Sequence, residues 1–264
     1  MSVPGRTVVG VNDIGVSHGI SLDELDYVVV DVETTGFTPA DCGITEIGAV
    51  RVHEGRVVAE FTSLVNPGTP VPGHIEELTG IGDAMLAGAP SAAAVLPSLL
   101  AFAEGCVLAA HNARFDLSFL TAACETAQLP WPGFAVIDTV RLARYLMVVP
   151  DEVADRKLGT LAEFFGTQVQ PIHRALDDAR ATADILMRLI GRLSDRGVTT
   201  LDDLDAWLVE QTAAEEAARA RAAMVAAQAE LAMAAEHAPA AGLPGRPRWL
   251  RWLPRVVLRW LGRP

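Results

Sequence analysis

At 264 residues, half of them apolar and a fifth charged, the chain is long enough for one substantial core with an appendage, and too apolar for general disorder. Its net charge of −12 is unevenly spread: Gly242–Pro264 holds six arginines and no acidic residue, so the other 241 residues carry 15 basic against 33 acidic side chains, a net −18. That excludes a broadly basic protein that coats nucleic acid, and a polyanion would have to be met through a local site, a cation or a basic arm. Residues 1–24 read as an N-terminal extension. Tyr27–Val32 is then a run of β-branched and aromatic residues that predicts a buried central strand.

Ile44–Val52 and Val57–Val65 predict two further strands joined by a hairpin turn at residues 53–55. Proline and glycine in NPGTPVPG, at 66–73, break the pattern before a short helix near Ile75–Leu78. Ser91 is placed to cap a helix running to about Glu104, and Val107–Ala110 gives a fourth strand. A helix over Asp116–Ala127 follows, then a fifth strand at Ala135–Asp138 and helices at Thr139–Leu146, Thr160–Phe165 and Ala175–Leu193. In the last, Ile185, Leu186, Leu189 and Leu193 share one helical face. Three hairpin-connected strands followed by alternating strands and helices predict an α/β domain with a mixed sheet, spanning residues 25–195.

A second segment, 199–238, opens with Thr200 and Asp203, a weak capping box, and continues as an alanine-rich stretch of high helix propensity. Its large apolar residues are scattered, so a long or hairpinned helix resting on the domain is expected, with a self-associating helix as the alternative. In the tail, 239–264, tryptophans at 249, 252 and 260 interleave with arginines at 251, 255, 259 and 263. Such a segment suits an anionic membrane surface, single-stranded nucleic acid, a partner, or the chain's own acidic body. No stretch supplies 18 uncharged apolar residues, and Asn12, Asp13 and His18 interrupt what a signal peptide needs, so spanning and secretion are disfavoured. Cys42, Cys106 and Cys124 lie far apart with no CxxC pair, which fits a reducing, cytoplasmic compartment with peripheral membrane contact left open.

Acidic residues carry the chemistry. In DVETTG, at 31–36, Asp31 and Glu33 are two apart at a strand end and project from one face, where a divalent cation would relieve their repulsion. Strand-end carboxylates also serve solubility alone. In HNARFD, at 111–116, Asp116 is a candidate ligand or simply the cap of the following helix. In HRALDDARATAD, at 173–184, His173 precedes a helix and Asp178 lies five residues on, an offset that suits facing side chains only if His173 sits in the preceding turn. Asp177 and Asp184 read as capping or solvated residues. Asp31, Glu33, Asp116 and Asp178 together offer oxygen-only ligation, which favours magnesium or manganese, with His173 able to move protons.

These three segments, in this order, resemble the motifs of the DEDD 3'→5' exonuclease superfamily, in its DEDDh branch. ITEIGAV at 44–50 and LTGI at 78–81 resemble further family segments. The resemblance covers residues 25–195 and implies a ribonuclease H-like fold: a five-stranded mixed sheet flanked by helices, here with a helical C-terminal extension. It implies two divalent cations, Mg2+ or Mn2+, with Asp31 bridging them, Glu33 and Asp178 completing one site and Asp116 contributing to the other. His173 becomes the general base, and nucleoside 5'-monophosphates leave from a 3' end. Thr34, Thr35, Phe37, Asn112 and Phe115 become candidate contacts to the terminal nucleotide, although Phe37 and Phe115 also suit a core. The expected substrate is single-stranded or frayed DNA, with RNA trimming the alternative. A polymerase or repair partner is open, and a catalytically silent binding or scaffold subunit remains the non-enzymatic reading.

Overall fold

Alternation decides which way the first strand faces. In β1 (Tyr27–Thr34), Val28, Val30 and Val32 enter one core while Tyr27 and Val29 enter the other, so Asp31 and Glu33 continue the second face. The structure is a computed structural model and describes residues 19–236. Residues 1–18 and the Trp/Arg-rich tail lie outside the described residues, so the expectations for them are not met by any structural observation.

β2 (Ile44–His53) and β3 (Arg56–Leu64) follow as the expected hairpin, then α1 (Gly73–Thr79), α2 (Asp83–Leu86) and α3 (Ala92–Phe102). β4 (Val107–Ala110), α4 (Ala113–Thr126), β5 (Val136–Asp138), α5 (Thr139–Leu146), α6 (Leu158–Phe165) and α7 (Ala175–Ser194) complete the domain, and α8 (Leu201–Glu236) succeeds it. The sheet runs β3-β2-β1-β4-β5. β1 pairs antiparallel with β2, as β2 does with β3, whereas β4 lies parallel to both β1 and β5. This is the five-stranded mixed sheet of the ribonuclease H-like fold.

Helices cover both faces, as sheets with parallel crossovers require. On one face Tyr27 and Val29 pack with Leu142 and Leu146 of α5, Leu161 of α6, and Ile185, Leu186 and Leu189 of α7. On the other, Val28, Val30 and Val32 pack with Leu96 and Leu99 of α3 and Phe119 and Leu120 of α4. Leu204 and Leu208, in the first turns of α8, are buried in the α7-side core. α8 is a single unbroken helix of 36 residues, which removes the hairpinned alternative. Among the described residues no helix is long and apolar enough to cross a membrane.

Two local expectations need correction. Ser91 occupies the N-cap position of α3, but its side chain makes no capping bond; its carbonyl accepts from the Ala94 and Val95 N–H groups instead. α4 starts at Ala113, three residues before Asp116, because Asn112 turns into the left-handed region (φ 70°) and its N–H donates to the Asp138 carboxylate at 3.1 Å. Asp116 is therefore a first-turn residue and not the cap.

Candidate active site

The site begins as a steric question: how a helix comes close enough to β1 to face its carboxylates. In the antiparallel register Gly48 lies opposite Asp31, and Glu46 opposite Glu33. A Cβ at Gly48 would stand 2.2 Å from the Ala175 carbonyl carbon and the Leu176 nitrogen, so the missing side chain is what admits the first turn of α7. That turn carries Asp178.

His173 lies just before it, exposed, with its backbone in the left-handed region at φ 58°. The turn is held on both sides. Asp178 reaches back to accept the Ile172 N–H at 2.9 Å, and Glu46 accepts from Arg174 and from the Ala175 N–H. The poor helical offset of five between His173 and Asp178 is overcome because His173 lies outside the helix, at a bend with a left-handed backbone. As a result one ligand atom each from Glu33, His173 and Asp178 lie within 4.8 Å of one another.

Asp116 arrives from the opposite layer. It is buried in the first turn of α4 and accepts the Val32 N–H at 3.1 Å, which fixes it against the strand segment between Asp31 and Glu33. Asp31 feels Asp116, Asp178 and Glu33 at once: burial first, and then those three charges, hold its carboxyl well above the usual carboxylate range. Burial, with Asp178 and Glu46 adding to it, pushes Glu33 up to about 7. Asp116 is pushed up to about 8, mainly by burial, and Asp178 is raised by the same cause. Four carboxylates that resist ionising, with the His173 imidazole beside Glu33 and Asp178, fit a hard divalent cation, which would remove both the desolvation and the repulsion.

Known proteins resemble the chain in sequence and in fold. The model of the exonuclease family matches residues 28–186. The chain belongs to that family. A Mycobacterium tuberculosis protein whose name assigns it both exonuclease and endonuclease activity is 43% identical over 234 residues, 83% of this chain. The PolC-type DNA polymerase III of Caldanaerobacter subterraneus is 39% identical over 188 residues, 71% of this chain. This chain spans only 36% and 13% of the lengths of those two relatives. Exonuclease X, solved in complex with 5'-overhanging duplex DNA, superposes with a TM-score of 0.51 at 27% identity, covering 66% of this chain and 95% of that one. The nuclease domain of a DEDDh family member bound to rAMP shares the fold with a TM-score of 0.53 at 22% identity, covering 63% of this chain and 92% of that one. The exonuclease family is dependent on divalent metal, in keeping with the donor set described above.

Around the cluster the exonuclease domain places the remaining candidates differently. Phe37 is 82% exposed, which excludes the core reading. Thr34 and Thr35 are buried, and their hydroxyls serve the loop: Thr34 donates to the Gly36 carbonyl and Thr35 accepts the Gly43 N–H. Asn112 is exposed at the start of α4, and Phe115 is half-buried against Phe119. Asp177 pairs with Arg180, which also holds Glu60 on β3, while Asp184 accepts the Gln168 N–H. Neither belongs to the cluster.

Three residues of this domain escaped the sequence reading. Gly48 and Glu46 both fall in ITEIGAV, where the signal was a glycine and an acidic residue inside an otherwise buried strand. Asp138 joins the start of α4 to α5, accepting from the Asn112 and Val140 N–H groups. Its only trace was an aspartate closing a strand before a helix.

His111, behind α4, is a structural tie. Its Nε2 donates to the Arg156 carbonyl at 3.1 Å, which leaves Nδ1 to accept from the Thr139 hydroxyl at 2.9 Å. Burial lowers its pKa from 6.5 to about 4. The neutral ring is thus the folded form, and the stability it lends is present above pH 6.5 and lost as the pH falls toward 4. Urea unfolding at pH 7 and pH 4 should show the wild type losing about 3 kcal/mol more than His111→Gln, at about 1.36 kcal/mol per pKa unit. Equal losses in both proteins would contradict this role.

Proposed function

We propose that this chain removes nucleotides stepwise from the 3' ends of single-stranded or frayed DNA by metal-dependent hydrolysis, releasing nucleoside 5'-monophosphates. The observation that carries the reading is the meeting of Glu33, His173 and Asp178 within 4.8 Å of one another. Asp31, Glu33, Asp116 and Asp178 would hold two cations, Mg2+ or Mn2+, because an all-oxygen donor set suits hard divalent ions. When bound, these ions offset the charge that builds on the phosphoryl and leaving oxygens.

The chain's own residues supply position and proton transfer. His173, exposed beside two carboxylates, takes the proton of the attacking water, a task suited to an imidazole near neutral pH. Asp116 is kept in place by the Val32 N–H, and Asp178 by the Ile172 N–H. Phe37 offers its exposed ring to a base, backbone groups at Thr34 and Thr35 line the terminal nucleotide, and Asn112 and Phe115 shape the far wall. The acidic body repels duplex, so the grip is confined to one end of a strand.

DNA is favoured over RNA by likeness to the PolC-type polymerases, and the same likeness suggests a polymerase or repair partner. The unpaired Cys42, Cys106 and Cys124 suit a cytoplasmic setting. The test compares matched 5'-labelled DNA and RNA strands with Mg2+ or Mn2+. DNA should shorten faster. Faster shortening of RNA would replace the substrate, and capture of strands without shortening would replace the enzyme with a binding module.

A further inference from the structure

Glu46 is the carboxylate that the proposed chemistry leaves unused. It is only 2% exposed, and a charge so placed requires nearly complete compensation. Three donors provide it. Arg174 Nη2 bonds Oε1 at 2.7 Å, while Arg174 Nε at 3.1 Å and the Ala175 N–H at 2.9 Å share Oε2. Both oxygens are therefore engaged from the α7 side, although Glu46 lies opposite Glu33.

The groups it engages are those of the two residues that follow His173. On the other flank Asp178 holds the Ile172 N–H. His173 thus keeps a left-handed backbone, rare for a side-chain-bearing residue without outside support, between two anchors. Gly48, two residues along the same strand, lets the anchored turn close on the sheet.

We infer that Glu46 is a positioning residue: through the Arg174 guanidinium and the Ala175 N–H it fixes the His173 turn, and so the imidazole, against Glu33 and Asp178. The inference rests on the reading of His173 as the base. Glu46→Gln keeps the shape but turns an acceptor into an NH2 group facing N–H donors. In steady-state cleavage of a 5'-labelled DNA strand, kcat should fall about tenfold with KM changed by less than about twofold.

The decisive arm repeats the substitution in a His173→Ala background. There the further loss should be below about twofold, since a residue that acts only through His173 has nothing left to position. Equal losses in the two backgrounds overturn the proposal. If Glu46→Gln does not fold, as judged by circular dichroism, Arg174→Gln breaks the same link from its more exposed side and takes its place. The NMR signal of the His173 ring gives a readout independent of turnover. It should shift or broaden on Glu46→Gln, and an unchanged signal overturns the clamp. A wild-type protein that cleaves nothing overturns the exonuclease reading instead, and leaves the NMR result to decide the clamp.

Discussion

Asp31→Asn should abolish strand shortening, lowering kcat/KM by at least about 10³-fold, while leaving the metal-free protein as stable as the wild type or more so. The two halves of this expectation have one cause. Burial and the charges of Asp116, Asp178 and Glu33 raise the folded-state pKa of Asp31 well above its ordinary value. A raised carboxyl contributes stability below the unfolded pKa of about 3.9 and loses it as the pH rises through the folded value. At pH 8, above the unfolded value, the buried carboxyl without metal is therefore a burden, and an asparagine of the same shape is not. Thermal melts in EDTA at pH 8 check the stability half, and single-turnover cleavage with Mn2+ checks the other. A variant that melts well below the wild type would make Asp31 a structural residue, and its lost activity would then say nothing about cations.

Gly48→Ala should be the most damaging one-carbon change in the domain. The added Cβ would meet the Ala175 carbonyl carbon and Leu176 nitrogen at 2.2 Å and the Ala175 carbonyl oxygen at 2.5 Å. All three are backbone atoms of a helix, so no side chain can swing away and α7 itself has to retreat. Overpacking of this kind costs about 1–3 kcal/mol. The functional cost should be larger in proportion, because the displaced turn carries His173, Arg174 and Asp178, and a shift of about 1 Å in a catalytic group can cost about 10²-fold in rate. Gly73→Ala is the control: a Cβ there meets nothing within 4 Å. Urea midpoints and kcat/KM of both variants decide the matter, and a Gly48→Ala protein indistinguishable from Gly73→Ala would mean that the close approach is not needed.

Comparison of sequence and structure separates what is local from what is not. Asp31 and Glu33 were legible because a period of two in a strand fixes their common face without reference to any other element. His173 and Asp178 were legible as a spaced pair, but the turn that makes an offset of five workable depends on Glu46, which is 128 residues away from Arg174 in the chain. No local pattern carries such a link. An isolated acidic residue in the apolar run ITEIGAV has no periodic meaning until its partner is seen. The start of α4 was misplaced for a similar reason, since Asn112 adopts φ 70° in response to Asp138, a residue of another strand. Phe37 failed to declare itself because an aromatic residue after a buried strand suits a core and an exposed loop equally well.

One measurement bears most directly on the claim that these carboxylates and His173 form a metal-dependent 3' exonuclease site. It follows 5'-labelled single strands of DNA, with free or chemically blocked 3' ends, in Mg2+, Mn2+ or EDTA, beside an Asp31→Asn control. The account predicts a ladder of products one nucleotide apart from free ends only, lost in EDTA and absent with the control. Internal cuts in blocked strands, or shortening that survives EDTA or Asp31→Asn, would contradict it.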